Sequence, residues 1–187
     1  LEFVDPIKDL ETINEIKKLL KQKSQRDFLL FVFGINTGIR LNDLLHLKVK
    51  DVWDGKEARE FLFITEAGKR KEQSIFLNNK VHDASKGYLL DSNLSANDFL
   101  FKSRKYDGPI TRQQAYRIIN QAGREVGIQG KIGTHTIRKT FGYHAYRKGI
   151  AISLIQSVFG HASPSETLRY IGIDKKSKHL IKVDVHL

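Results

Sequence analysis

The chain's 187 residues, 40% of them hydrophobic, suffice for one domain with a real core, and the absence of cysteine rules out a disulfide framework or a thiolate zinc site. Thirty-two Lys and Arg against 21 Asp and Glu give a net charge of +11, which points to a polyanionic partner, either nucleic acid or an anionic membrane. No apolar run approaches the ~20 residues needed to span a bilayer and no signal-peptide pattern opens the chain, so it reads as a soluble, intracellular protein. Residues 131–187 carry ten Lys plus Arg against three Asp plus Glu, which assigns the basic surface to the C-terminal third. Methionine is missing even at position 1, as in a fragment of a longer protein.

In chain order, Leu10, Ile13, Ile16, Leu19 and Leu20 recur at helical spacing and predict an amphipathic helix over 9–22. Phe28 to Ile35 is apolar on every side apart from Gly34, as in a buried central helix, and Gly38 ends it. Leu41, Leu44 and Leu45 suggest a short helix. Val49–Trp53, Phe61–Ile64 and Gln73–Leu77 read as strands of a small antiparallel sheet, with turns at Asp54-Gly55 and Ala67-Gly68. Ile110 to Ala115 has the form of a capping box opening a helix to about Val126, and Thr134 could cap another reaching Lys148. Ile152, Leu154, Ile155 and Phe159 outline a shorter helix. Ser163-Pro164-Ser165-Glu166 is the clearest helix start, with a capping Ser, Pro at the first helical position and Glu at the third. At the end, Ile181, Val183, Val185 and Leu187 alternate with polar residues in the manner of a half-buried strand, which must dock on its own domain or a partner. No repeat or linker supports a domain boundary.

The seven histidines form no His-Glu-x-x-His pair and no Gly-rich phosphate loop is present, so neither metal nor nucleotide chemistry is predicted. What stands out is a set of separated pieces: Thr37-Gly38-Ile39-Arg40-Leu41-Asn42-Asp43-Leu44, His135-Thr136-Ile137-Arg138, Phe159-Gly160-His161-Ala162-Ser163 and Thr167-Leu168-Arg169-Tyr170. Singly each is weak. His-x-x-Arg occurs a second time at His144 to Arg147, and either copy could be a basic helical face. Order and spacing carry the signal: His135 and Arg138 three apart, His161 twenty-three residues later, and Tyr170 nine beyond that.

In these pieces the chain resembles the catalytic domain of the tyrosine recombinases, the family of phage and transposon integrases, over nearly its whole length. The resemblance implies a mostly helical α+β fold, a helical bundle with a small antiparallel sheet at one side, as a single catalytic domain over 1–187. It also implies that a separate DNA-clamping domain would stand before this chain. By the same resemblance Arg40 and Arg138 clamp a DNA phosphate, His135 and His161 are the active-site histidines, and Tyr170 is the nucleophile. Asp43, where the family more often has Glu, would support Arg40. The family's hairpin lysine maps to Lys69, with Lys71 as the alternative, since Glu66 stands near a common Lys position and Phe76 replaces a common Pro. The implied partner is double-stranded DNA, bound by a tetramer of a chain that alone is a monomer or self-associates weakly, in a bacterial or phage-infected cytoplasm near the nucleoid. No cofactor is implied. Two other readings stand beside this one: a topoisomerase using the same chemistry, and a non-catalytic basic DNA-binding module.

Overall fold

The computed structural model describes residues 4–65 and 72–173. Helix α1 (Leu10–Lys23) starts where the Asp9 carboxylate accepts the Thr12 N–H at 2.8 Å, and buries Ile13, Ile16 and Leu20. Ser24 ends α1 by donating its N–H to Leu20 and starts α2 (Gln25–Thr37) by accepting the Asp27 N–H at its hydroxyl. Helix α2 is the centre of the molecule, as its all-round apolar sequence predicted. Leu29, Leu30, Val32 and Phe33 face one core, while Phe31 faces a second core with Ile13, Ile16, Leu20, Ile119 and Ile137. Each side chain so buried contributes roughly 1.5–3 kcal/mol. Gly38 closes α2 in the left-handed region (φ 65°), with the Phe141 ring lying where a β-carbon would stand.

Short helix α3 (Leu41–Leu45) follows, then α4 (Val49–Val52) in place of a predicted strand. The reason is local: the Asp51 carboxylate accepts the Lys48 N–H at 2.7 Å, and Val49, Val52 and Trp53 are buried at helical rather than alternating spacing. The sheet among the described residues is therefore a two-stranded hairpin, β1 (Phe61–Thr65) antiparallel to β2 (Glu72–Phe76). Leu62 pairs with Ile75 on the buried face, and Phe61, Phe63 and Phe76 lie on the exposed one. The Ala67-Gly68 turn lies outside the described residues. Helix α5 (Asn79–Leu89) is absent from the sequence-based expectations. Asn78 caps it and donates its side-chain amide to Asn36 of α2.

Helix α6 (Arg112–Glu125) opens with the predicted capping box, Thr111 and Gln114 each accepting the other's N–H. Helix α7 (Thr134–Arg147) is capped differently from expectation: Gly133 is the cap, donating its N–H to the Thr136 hydroxyl, and Thr134 is the first helical residue. Helices α8 (Ile152–Phe159) and α9 (Pro164–Tyr170) pack on α7 through Ile155, Phe159 and Ile171. Ser163 caps α9 as predicted, accepting the Glu166 N–H at 3.1 Å, while the Glu166 carboxylate accepts the Ala162 N–H. The predicted C-terminal strand lies outside the described residues.

At Gly142, in the middle of α7, a β-carbon would stand 2.6 Å from Ile171 and 2.7 Å from the Phe159 ring. Replacing a mid-helix glycine by alanine ordinarily gains up to about 1 kcal/mol. Here both neighbours are buried, and overpacking costs about 1–3 kcal/mol. Gly142→Ala is expected to lower stability by roughly 1–2 kcal/mol in urea unfolding; an unchanged or raised midpoint would show that α8 and α9 yield to the added methyl.

Candidate active site

Arg138 lies one turn into α7 and reaches across two other helices. Its Nε donates to the Gly38 carbonyl at 2.8 Å, and its Nη2 donates to the Val158 and Phe159 carbonyls at 3.3 and 3.2 Å. The guanidinium carbon lies 4.7 Å over the Phe159 ring. These contacts fix the side chain against the ends of α2 and α8. His135 sits three residues earlier, itself exposed on the first turn of α7. Partial burial of its ring, then the cations Lys139, Arg112 and Arg138, hold its pKa below 6.5.

Arg40 precedes α3, and its Nη2 lies 3.4 Å from where a β-carbon on Gly160 would stand. Arg40, Arg138 and His135 line one cleft of about 250 Å³ with Leu41, Asn42, Arg112 and Thr134. Asp43 lines a smaller cavity, again with Arg40 and Arg138.

Gly160 (φ 70°) turns the chain out of α8, so that His161 comes back toward Arg138 and Arg40. The turn is clamped twice, by His161 N–H to the Gln156 carbonyl and by the Gln156 amide to the His161 carbonyl, both at 3.1 Å. Nδ1 of His161 is 3.0 Å from the Thr167 hydroxyl on α9. Burial first, then Arg138 and Arg40, pull the His161 pKa down, while Glu166 pushes it up. The Tyr170 ring stacks edgewise on His161 (5.0 Å) and Phe159 (5.3 Å), with the Lys139 ammonium 5.0 Å from its centre. The Tyr170 hydroxyl is buried and has no hydrogen-bond partner among the described residues. Burial raises its pKa, and Arg138 and Arg40 act in the opposite direction.

Arg40, Asp43, His135, Arg138, His161 and Tyr170 are thus gathered around the junction of α2, α3, α7, α8 and α9. Lys69 and Lys71 lie outside the described residues. Three neighbours escaped the sequence reading: Arg112, Lys139 and Thr167. Lys139 is buried, donates to the Val4 carbonyl at 2.9 Å, and follows Arg138 directly. Nothing in its own spacing marked it. Arg112 occupies the first position after a recognised cap, and Thr167 stands one turn before Tyr170, so both were within reach of helical geometry.

Two arginines, two histidines and a phenol with a buried hydroxyl converge at helix ends, a set of cations and a nucleophilic oxygen whose chemistry suits a phosphate. The phage integrase family model matches residues 7–177, and the chain belongs to that family. It is 42% identical over 175 residues to a probable integrase/recombinase, YoeC, of Bacillus subtilis, covering 94% of this chain and 93% of the relative. It is 30% identical to a tyrosine recombinase of Pseudothermotoga lettingae, covering 92% of this chain but 59% of that protein. Its fold is that of the XerA recombinase crystal structure (TM-score 0.75, 23% identity, 94% of this chain and 61% of that one). A XerH site-specific recombinase bound to difH substrate is similar in the same way (TM-score 0.73, 23% identity, 94% and 52%).

The depressed histidines set a pH dependence. Both bind a proton less readily in the folded chain than at the ordinary value of 6.5. Their contribution to stability is therefore full above 6.5 and is lost as pH falls through that value toward the folded pKa values. The urea midpoint is expected to decline on acidification from about pH 7.5 to about pH 5.5, and less steeply in a His135→Gln, His161→Gln double variant. A midpoint that rises over this window contradicts the assignment.

Proposed function

We propose that this chain is the catalytic domain of a site-specific DNA recombinase, which cuts and rejoins double-stranded DNA through a 3′-phosphotyrosyl intermediate on Tyr170. The observation that carries the reading is the buried, unpartnered Tyr170 hydroxyl in the field of Arg138 and Arg40. A phosphate brought between the arginines would meet that oxygen. The Tyr170 oxygen forms a bond to phosphorus while the bond to the 5′ sugar oxygen breaks. Arg40 and Arg138 hold the non-bridging oxygens, because the guanidinium is always charged and presents forked donors. Asp43 keeps Arg40 in place, and His161 adds a further donor.

An ordinary tyrosine loses its proton at pH 7 at a cost of roughly 4 kcal/mol, and burial adds to that. His135, held neutral by its low pKa, accepts the proton. The hairpin lysine, Lys69 or alternatively Lys71, protonates the leaving sugar oxygen. The tyrosyl ester conserves the energy of the broken bond, so a second DNA end can displace it. In this reading a DNA-clamping domain precedes the chain, and a tetramer assembles on paired sites.

Incubation with a nicked suicide substrate tests the reading directly. Wild-type protein should yield a covalent adduct mapping to Tyr170, and Tyr170→Phe should yield none at unchanged DNA affinity; an adduct on another residue would overturn it. Arg40→Lys and Arg138→Lys should each slow cleavage about a hundredfold. Lys69→Ala should slow cleavage more than Lys71→Ala and be rescued by a 5′-sulfur leaving group, which departs without a proton. Rescue of Lys71→Ala instead moves the acid to that residue.

A further inference from the structure

Thr167 has no place in the chemistry above, yet it is fully buried one turn before Tyr170, with its hydroxyl 3.0 Å from Nδ1 of His161 and 3.3 Å from the Ser163 carbonyl. A hydroxyl has one proton and can both donate and accept. With the ring neutral, it can turn that proton from the Ser163 carbonyl to Nδ1, which leaves the ring proton on Nε2. With the ring protonated, Nδ1–H donates to the hydroxyl, which turns its own proton to Ser163. We propose that Thr167 is the positioning residue for His161, and that its reversible hydroxyl keeps Nε2 a hydrogen-bond donor toward the DNA phosphate in both charge states of the ring. A carbonyl at this place would accept only, and would put the neutral ring's proton on the wrong nitrogen.

The groups around the ring make this matter. Arg138 of α7 and Arg40 ahead of α3 disfavour the imidazolium, Glu166 of α9 favours it, and Tyr170 stacks on the face. Burial, the largest influence, adds to the arginines in favouring the neutral ring, of which only one tautomer can donate from Nε2. The inference rests on the proposed role of His161 at a phosphate, and the test separates the two.

Cleavage of the suicide substrate would be followed against pH for wild type, Thr167→Val and Thr167→Ser, with the neutral His161 tautomer read by nitrogen-15 NMR of the same proteins. Valine keeps the branched shape but removes the hydroxyl, and serine restores it. Thr167→Val should cleave about tenfold more slowly at pH 8, a fraction of the roughly hundredfold loss of a whole donor. That deficit should shrink as acid protonates the ring, because the imidazolium carries both protons. Wild type and serine should show the Nε2–H tautomer, and valine a mixture. Unchanged rates in valine, an equal deficit at every pH, or a tautomer indifferent to the substitution would each overturn the role. A wild-type protein that forms no adduct would defeat the recombinase reading, while the tautomer comparison would still decide whether Thr167 sets the ring.

Discussion

The arrangement depends on the Arg138 guanidinium. It is planted on α7 but spends its donors on carbonyls at the ends of α2 and α8, and its face on Phe159. Helix C-termini leave carbonyls without intrahelical partners and carry partial negative charge, so one cation satisfies two helix ends together. Gly38 and Gly160 make this possible, each turning the chain in the left-handed region just where the carbonyls must face the arginine. Arg40 and His161 leave those same two turns. This one side chain thus sets the relative placement of the segments that supply Arg40 and His161.

Tyr170 rests on a weaker foundation. Helix α9 has seven residues, and α8 and α9 join α7 through a small cluster of Ile155, Phe159 and Ile171, well apart from the larger cores around α2. Elements with few buried contacts open at lower free energy than the centre of a domain. The unpartnered hydroxyl adds to this, since a buried donor left unmade costs about 1–3 kcal/mol. An oxygen acceptor entering beside Arg138 would remove that cost.

What could be read from the sequence follows from how local each signal is. The α2 core, the Thr111 and Ser163 caps and the Phe61 to Phe76 hairpin rest on residues within a few positions of one another, and these were legible. Val49 to Trp53 was not, because β-branched content suggests a strand while the deciding contact is one carboxylate, Asp51, folding back on Lys48. Helix α5 shows a capping Asn78 and apolar Val81, Ala84 and Leu89, but its polar composition dilutes the pattern, and packing against α2 stabilises it. In the site, the residues that the fold gathers were legible through motif order. The partners that orient them were not, since Gly38 and Arg138 lie a hundred residues apart and their bond exists only in three dimensions.

The resting charges bear on how the proposed attack can begin. Burial first, and the neighbouring cations after it, hold both histidines toward the neutral form, and burial holds Tyr170 toward the protonated one. Moving the Tyr170 proton to His135 leaves the net charge unchanged but creates a phenolate, which the arginines favour, and an imidazolium, which they oppose. A phosphodiester seated between Arg40 and Arg138 carries one negative charge and offsets part of their field. It eases formation of the imidazolium and strengthens a donor at His161, while the guanidiniums still face the phenolate as it closes on phosphorus. In the proposed attack the substrate's own negative charge would therefore offset part of the repulsion that these cations, in addition to burial, exert on a protonated His135.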